Sequence, residues 1–299
     1  MILVTGATGY IGSHLVKRLV TQGERPRCLV RHASKAAAIL PADKVELAQG
    51  NTTNSSSLAP AVQGVDTIIH AAFMTADRKQ TPGNRYEETN VHGTANLIRV
   101  AREAGVKRII EISGLGTKPD KPGSYMQGRY LAEKMLMDSD LEWTIIRPSV
   151  IFGQDAPFIK GLTNLMRTSP VLPLIGGGKV MFQPIYVEDV VTVIVKVHET
   201  PDRTNGKIYT IGGPEYYTFT QVFDELLQAM KMKRAKVYAP TLFVGMGAAA
   251  MEAVLPNPPL TRAAMTLFSF DNITDLNSVE SQFGFTPTSF HQYLAEHGV

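Results

Sequence analysis

The chain has 299 residues, 44% of them hydrophobic, enough to build one large core or a core with a smaller lobe. Its formal net charge is +3, and its cations are interspersed with acids rather than run together, which argues against a nucleic-acid partner. A single cysteine, Cys28, excludes an internal disulfide and suits a reducing compartment.

Residues 1–5 read as a short buried strand. Behind it Ile11, Leu15, Val16, Leu19 and Val20 recur at helical spacing, with Lys17 and Arg18 on the other side. This start has glycines within its short apolar run and charges after it, unlike a secretory leader, so the expected location is the cytoplasm. RPRCLV is a second strand, with Cys28 as buried filler. KVELAQG is a third, after a short helix in SKAAAIL, and VDTIIHAA is a fourth. YEETNVHGTANLIRVAREAG predicts one long helix stopped by Gly105; VKRIIEIS is a fifth strand, YMQGRYLAEKMLMDS a helix and EWTIIRPS a sixth strand. Strands alternating with helices predict an α/β fold, a doubly wound parallel (Rossmann) sheet covered on both faces.

Beyond Pro148 glycine and proline become frequent, and residues 151–183 read as an excursion above the sheet. YVEDVVTVIVKVHET is a helix returning to it, KIYTIGG a last strand, and residues 214–299 complete a smaller C-terminal substrate lobe together with 151–183. Residues 1–150 and 184–213 form the sheet domain. Segments leaving the carboxyl ends of the strands are the natural walls of a small-molecule pocket. The apolar stretch 239–256 is interrupted by glycines and Glu252, so it does not predict a transmembrane span. It reads as a buried lobe helix, with a docking face for a protein partner or a membrane surface as the alternative.

Gly6, Gly9 and Gly12 stand between the first strand and the first helix, in TGATGYIG. A helix N-terminus presents unpaired N–H groups and partial positive charge, and glycine lets a phosphate approach the backbone. The spacing is G-x-x-G-x-x-G rather than G-x-G-x-x-G, and its place inside a βαβ pattern carries the reading.

TGATGYIG, GVDTIIHAA, NVHGTANLIRVAREAGVKRIIEIS and EWTIIRPSVIFG, in that order and spacing, resemble the short-chain dehydrogenase/reductase superfamily. The extended and atypical branches fit best: epimerase-like and nitrogen-regulator-like proteins and relatives of the nucleotide-binding accessory subunit of respiratory complex I. The resemblance covers about residues 1–213. It implies that the sheet domain binds a dinucleotide across Gly6, Thr8, Gly9, Tyr10, Ile11 and Gly12. Backbone contributions are implied near Ala71, Ala72 and Phe73 and near Pro148, Ser149 and Val150.

A carboxylate at the end of the second strand would bind the ribose 2′-OH of NAD and repel a 2′-phosphate. Arg31 stands there instead, with Lys35 close behind, so NADP is the expected cofactor over NAD. A solvated basic loop is the bland alternative. The third strand ends GNTTNSSSL where the family has Gly-Asp, and Asn51 and Thr52 remain able to bond the adenine edge without a negative charge.

The family's chemistry implies a Tyr and a Lys one helical turn apart, with a hydroxyl on the preceding strand. Tyr125 with Arg129 and Tyr130 with Lys134 compete for that place, in registers about 140° apart around a helix. Family spacing to Glu133, Trp143, Arg147 and Pro148 selects Tyr125 and Arg129, so an arginine occupies the lysine position, able to lend charge and hold ribose hydroxyls. Ser113 is present, but the next position, often the catalytic hydroxyl in these branches, is Gly114. Thr117 substitutes for it if the loop folds back. The competing reading of Tyr125 is a packing tyrosine. His70 reads as structural, and the seven histidines show no metal-ligand spacing, so no metal is expected.

Two functions follow. One is an NADP(H)-binding oxidoreductase acting on a small or medium, largely apolar carbonyl or alkene. The other is a non-catalytic dinucleotide-binding protein: an accessory subunit, assembly factor or redox sensor.

Overall fold

The computed structural model describes residues 1–256, 258 and 260–299. Its elements begin β1 (Ile2–Thr5), α1 (Tyr10–Thr21), β2 (Arg27–Val30), α2 (Ala33–Ala37), β3 (Glu46–Gln49), α3 (Ser55–Leu58) and β4 (Thr67–His70). A π-helical turn (Glu87–His92) runs into α4 (Gly93–Glu103), followed by β5 (Arg108–Ile112), α5 (Tyr125–Met137) and β6 (Glu142–Pro148). Then come β7 (Ile151–Phe152), α6 (Pro157–Thr168), β8 (Val171–Ile175), β9 (Met181–Phe182), β10 (Ile185–Tyr186), α7 (Val187–Glu199) and α8 (Pro201–Thr204). The chain closes with β11 (Lys207–Ile211), β12 (Tyr217–Thr218), α9 (Phe219–Ala229), β13 (Ala235–Ala239), α10 (Thr241–Val254), α11 (Glu280–Phe283) and α12 (Phe290–His297).

Seven strands form one sheet in the order β11-β6-β5-β4-β1-β2-β3. The neighbours from β6 to β3 all pair in parallel. The order runs outward from β1 in both directions, so the switch point that opens a crevice in such sheets lies between β1 and β4. Register aligns the carboxyl ends there, with Thr5 opposite His70 and His70 opposite Glu111. β1, β4 and β5 are buried along their whole length, as the continuous apolar runs of a sheet covered on both faces require. β3, at the edge, is exposed at both its ends. Leu3, Ile68, Ile109 and Ile145 share one core with Leu97 and Leu136 from the helices. Cys28 is buried in β2, and burial pushes its thiol up to about 12, which leaves it inert.

One predicted helix is broken. Residues 86–105 read as continuous, yet the first turns are π-helical, and the extra residue turns Asn90 inward to a fully buried position. There it accepts a 2.7 Å hydrogen bond from Met74 N and donates a 3.2 Å one to Met74 O.

The chain divides into two compact units: Met1–Met74, Gln80–Arg147 and Val190–Tyr209 in the first, and Thr75–Lys79, Pro148–Asp189 and Thr210–Val299 in the second. The second is built around aromatic side chains, with ring centroids 5.0 Å apart for Phe152 and Phe290 and 4.5 Å for Phe219 and Phe223. Thr218 and Gln221 close a capping box at the start of α9. The expectation of a buried lobe helix in the stretch 239–256 is not met: Ala248 is the one buried residue of α10, and Leu242, Phe243, Met246 and Val254 are exposed. Among the described residues no helix is long and apolar enough to cross a membrane.

Candidate functional site

The glycine turn sits at the carboxyl end of β1. Gly6 has φ +69°, a left-handed conformation that disfavours any Cβ, and a Cβ there would lie 2.5 Å from Ala71 O. The turn and the loop after β4 therefore touch, which brings the predicted residues Gly6, Ala71 and Ala72 together. A Cβ at Gly12 would stand 2.2 Å from Gly6 O, so the helix packs against the turn as only glycine allows. Gly9 is the N-cap of α1, with no side-chain cap and no acid in the first turn. Thr8 and Gly9 are exposed. The N–H groups of that turn have no side chain competing for them, and the geometry suits a phosphate.

Past β2, Arg31 and Lys35 are exposed, and neither makes an ion pair among the described residues. Past β3, Asn51 Oδ1 accepts from Thr53 N at 3.3 Å, and Thr52 is buried with its carbonyl held by Asn96 Nδ2 at 3.1 Å. Past β4, His70 bridges Thr5 Oγ1 at 2.7 Å and Thr94 Oγ1 at 3.1 Å. Burial lowers its pKa to about 3, so the ring is neutral and ties β1, β4 and α4 together. Ala71, Ala72 and Phe73 follow, half-buried, and Asn90 fixes the loop one residue on. Sequence reasoning passed over Asn90. Its only signal was an amide in the middle of a helix-forming run, where asparagine is unfavourable.

Tyr125 and Arg129 lie on the buried face of α5, whereas Lys134 is exposed and paired with Asp138 at 2.7 Å. The Arg129 guanidinium stands 5.0 Å from the Tyr125 ring centroid and 5.6 Å from that of Phe73, a cation between two aromatic faces. Its Nη1 donates to Ser113 Oγ at 3.4 Å, and its Nε is buried without a hydrogen-bond partner. The Ser113 and Thr117 hydroxyls are 3.2 Å apart, and Thr117 also donates to Gly114 O at 2.7 Å, so this loop does fold back. The structure thus gathers Phe73, Ser113, Tyr125 and Arg129 into one cluster.

Gly114 gains its meaning here. A Cβ at that position would lie 2.9 Å from Arg129 Nη1 and 3.2 Å from Arg129 Cζ. The guanidinium fills the space a side chain at 114 would use, so the missing hydroxyl and the arginine in the lysine position are one exchange.

Below this cluster lies Glu111, fully buried on β5, with neither carboxyl oxygen hydrogen-bonded. Burial, then the neighbouring Glu133, push its pKa well above the ordinary carboxylate value, against the pull of Arg129 and Arg147. Burial in the absence of a hydrogen-bond partner favours its protonated form. Glu133 is itself buried and held by Arg147, whose Nε lies 2.9 Å from Oε1 and whose Nη2 bonds Oε2. Glu111 was not singled out from the sequence, because a lone acid in VKRIIEIS matches no spacing that marks a site.

In the second unit, Ser149 N donates to Ile211 O at 2.9 Å and its hydroxyl to Asn272 O at 2.8 Å; Val150 O accepts from Ile185 N at 3.0 Å. Pro148 ends β6. That unit also carries a groove of about 500 Å³ lined by Phe152, Lys160, Arg167, Tyr293 and His297 among others, none of them a sequence-predicted site residue. Among the described residues no three His, Cys, Asp or Glu side chains cluster as metal ligands.

Residues 6–201 match a family described as NAD(P)H-binding. The chain is 25% identical, over 92% of its length and 69% of the relative, to mitochondrial NADH dehydrogenase (ubiquinone) 1 alpha subcomplex subunit 9 of Arabidopsis thaliana. It is 31% identical, over 74% of its length and 71% of the relative, to the NAD(P)H azoreductase of Xenophilus azovorans. Its fold superposes on a nucleoside-diphosphate-sugar epimerase of Staphylococcus aureus with a TM-score of 0.78 at 21% identity, covering 98% of this chain and 99% of that one.

Proposed function

The chain belongs to the NAD(P)H-binding family, and on that premise we propose an NADP(H)-dependent oxidoreductase of the extended, epimerase-like short-chain dehydrogenase/reductase type. Its substrate is a small or medium, largely apolar carbonyl compound or alkene. The residues fit the dinucleotide. The left-handed Gly6 and the uncapped first turn of α1 leave a cradle that a Cβ would fill, and no acid opposes a phosphate there. Gly6 to Gly12 hold the pyrophosphate, and Arg31 with Lys35 hold the 2′-phosphate. Asn51 and Thr52 meet the adenine, and Ala71 to Phe73 contribute backbone.

The observation that carries the catalytic reading is that Tyr125 and Arg129 share the buried face of α5, with Arg129 Nη1 donating to Ser113 Oγ. When bound, the dinucleotide supplies or accepts a hydride. In carbonyl reduction Tyr125 gives its phenolic proton to the substrate oxygen as the hydride arrives at carbon. Ser113 orients the oxygen, and Arg129, 5.0 Å from the Tyr125 ring, places positive charge beside the phenolate that the transfer leaves and holds ribose hydroxyls.

The test is NADPH oxidation with a panel of carbonyl and alkene substrates. Positioned acid catalysis contributes about 10²–10⁴-fold. Tyr125→Phe is expected to cost that much with the cofactor still bound, and Tyr130→Phe little. Turnover that survives Tyr125→Phe but disappears in Tyr130→Phe overturns the assignment.

Similarity to a respiratory-complex subunit over 92% of the chain favours a second reading, a non-catalytic accessory protein whose dinucleotide stabilises the fold. Tight NADPH binding with no turnover across the panel supports that reading.

A further inference from the structure

The second unit exposes its most apolar helix. Leu242, Phe243, Met246 and Val254 of α10 are 62–80% exposed. At 3.6 residues per turn, these four and Ala250 and Ala253 fall within about 120° of the helix circumference. Ala248, the buried residue, lies on the opposite side. One side of the helix, around Ala248, is turned to its unit, while Leu242, Phe243, Met246 and Val254 face out. The one charge in it, Glu252, is taken up by Arg262, through backbone N at 2.7 Å and Nε at 2.8 Å. The patch continues onto the neighbouring strand β13, where Val237 is 51% and Tyr238 64% exposed.

The charges beside the patch have one sign. Lys231, Lys233, Arg234 and Lys236 lead into and along β13, and no acidic residue occurs from Leu226 to Met251. Arg234 Nε is bound to Met166 O, and Lys236 pairs with Asp224. Lys231 and Lys233 are exposed and have no carboxylate partner among the described residues.

We propose that α10 and the basic run before it dock this protein on an anionic lipid surface. The 14 residues of α10 are too few to cross the roughly 30 Å hydrocarbon core, so the helix lies in the plane of the interface with its apolar face among the acyl chains. The lysines then meet acidic headgroups, which draw juxtamembrane cations. A second copy of the chain answers the apolar face less well, because a two-fold contact through α10 brings two lysine runs of the same sign together.

The full-length protein is tested by co-flotation with phosphatidylcholine vesicles, with and without phosphatidylserine, at low and high salt. Flotation is expected on phosphatidylserine vesicles, falling with salt. Leu242→Asp combined with Phe243→Asp removes two side chains from the acyl region and is expected to lower partitioning at least about a hundredfold. Both residues are exposed, so the thermal melt and NADPH binding of this variant are expected to match wild type. Lys231→Gln combined with Lys233→Gln is expected to cost about fivefold per lysine on phosphatidylserine vesicles and nothing on neutral ones. Three results each overturn the proposal: no flotation on either composition, flotation unchanged by the aspartate pair, or equal flotation on both compositions. A lipid-free wild-type dimer that the aspartate pair converts to monomer also overturns it, by assigning the face to a second copy.

Discussion

Replacing Gly114 by serine and Arg129 by lysine, singly and together, asks whether the two positions form one packing unit. In Gly114→Ser the new Cβ starts 2.9 Å from Nη1 and 3.2 Å from Cζ of Arg129, where ordinary contact is 3.4–4 Å. The guanidinium has to retreat by roughly 0.5–1 Å, a packing strain of about 1–3 kcal/mol. Its bond to Ser113 is already 3.4 Å long and does not survive that movement. Arg129→Lys removes heavy atoms from a buried site and leaves Ser113 without its donor, again at about 1–3 kcal/mol. In the double variant the serine occupies the space that the guanidinium has left. The combined loss is expected to fall short of the sum by about 1–2 kcal/mol, the coupling of residues in direct contact. Trp143 on β6 is the sole tryptophan and reports denaturant unfolding by fluorescence. Single-variant losses that add to the double within about 0.5 kcal/mol refute the exchange.

Arg31→Ala is expected to weaken NADPH binding by roughly ten- to a hundredfold, one charge-assisted phosphate contact, and to leave NADH binding unchanged; calorimetric titration of both dinucleotides decides it. Gly9→Val is expected to fold, since a Cβ there meets only Gly6 O at 3.0 Å, and to lose dinucleotide binding, because the side chain stands over the uncapped first turn of α1; wild-type binding by a folded variant contradicts the cradle. Glu111 gives a pH test. Its folded pKa is raised, so its contribution to stability is complete below the unfolded carboxylate value of about 4.3 and is lost as pH rises from there through the folded value. Glu111→Gln, which cannot ionise, is expected to gain on wild type with each step from pH 5 to pH 8, by up to about 1.4 kcal/mol per unit, in denaturant titrations; a constant difference across that range shows that Glu111 is ionised in the fold.

The sheet was legible in the sequence because a parallel strand covered on both faces carries consecutive rather than alternating apolar residues, as Ile68–Ile69 and Ile109–Ile110 do, in segments that alternate with helical patterns. The glycine spacing was legible for a related reason. A left-handed Gly6, and a Gly12 whose Cβ would stand 2.2 Å from Gly6 O, leave the chain no other residue to use, so the constraint is written locally. The tertiary structure decided the rest, since the deciding contacts join residues far apart in sequence. Gly114 reads as a lost hydroxyl until Arg129, fifteen residues on, is seen filling its place. Asn90 reads as a weak helix former until the loop at Met74 is found to need both ends of its amide. Glu111 is one acid in an apolar strand, and only the packing around β5 buries both its oxygens without a partner and raises its pKa. The apolar run at 241–254 shows the same limit from the other side. Hydropathy says that its side chains leave water on average; which face of α10 the protein itself covers depends on partners that no local pattern contains.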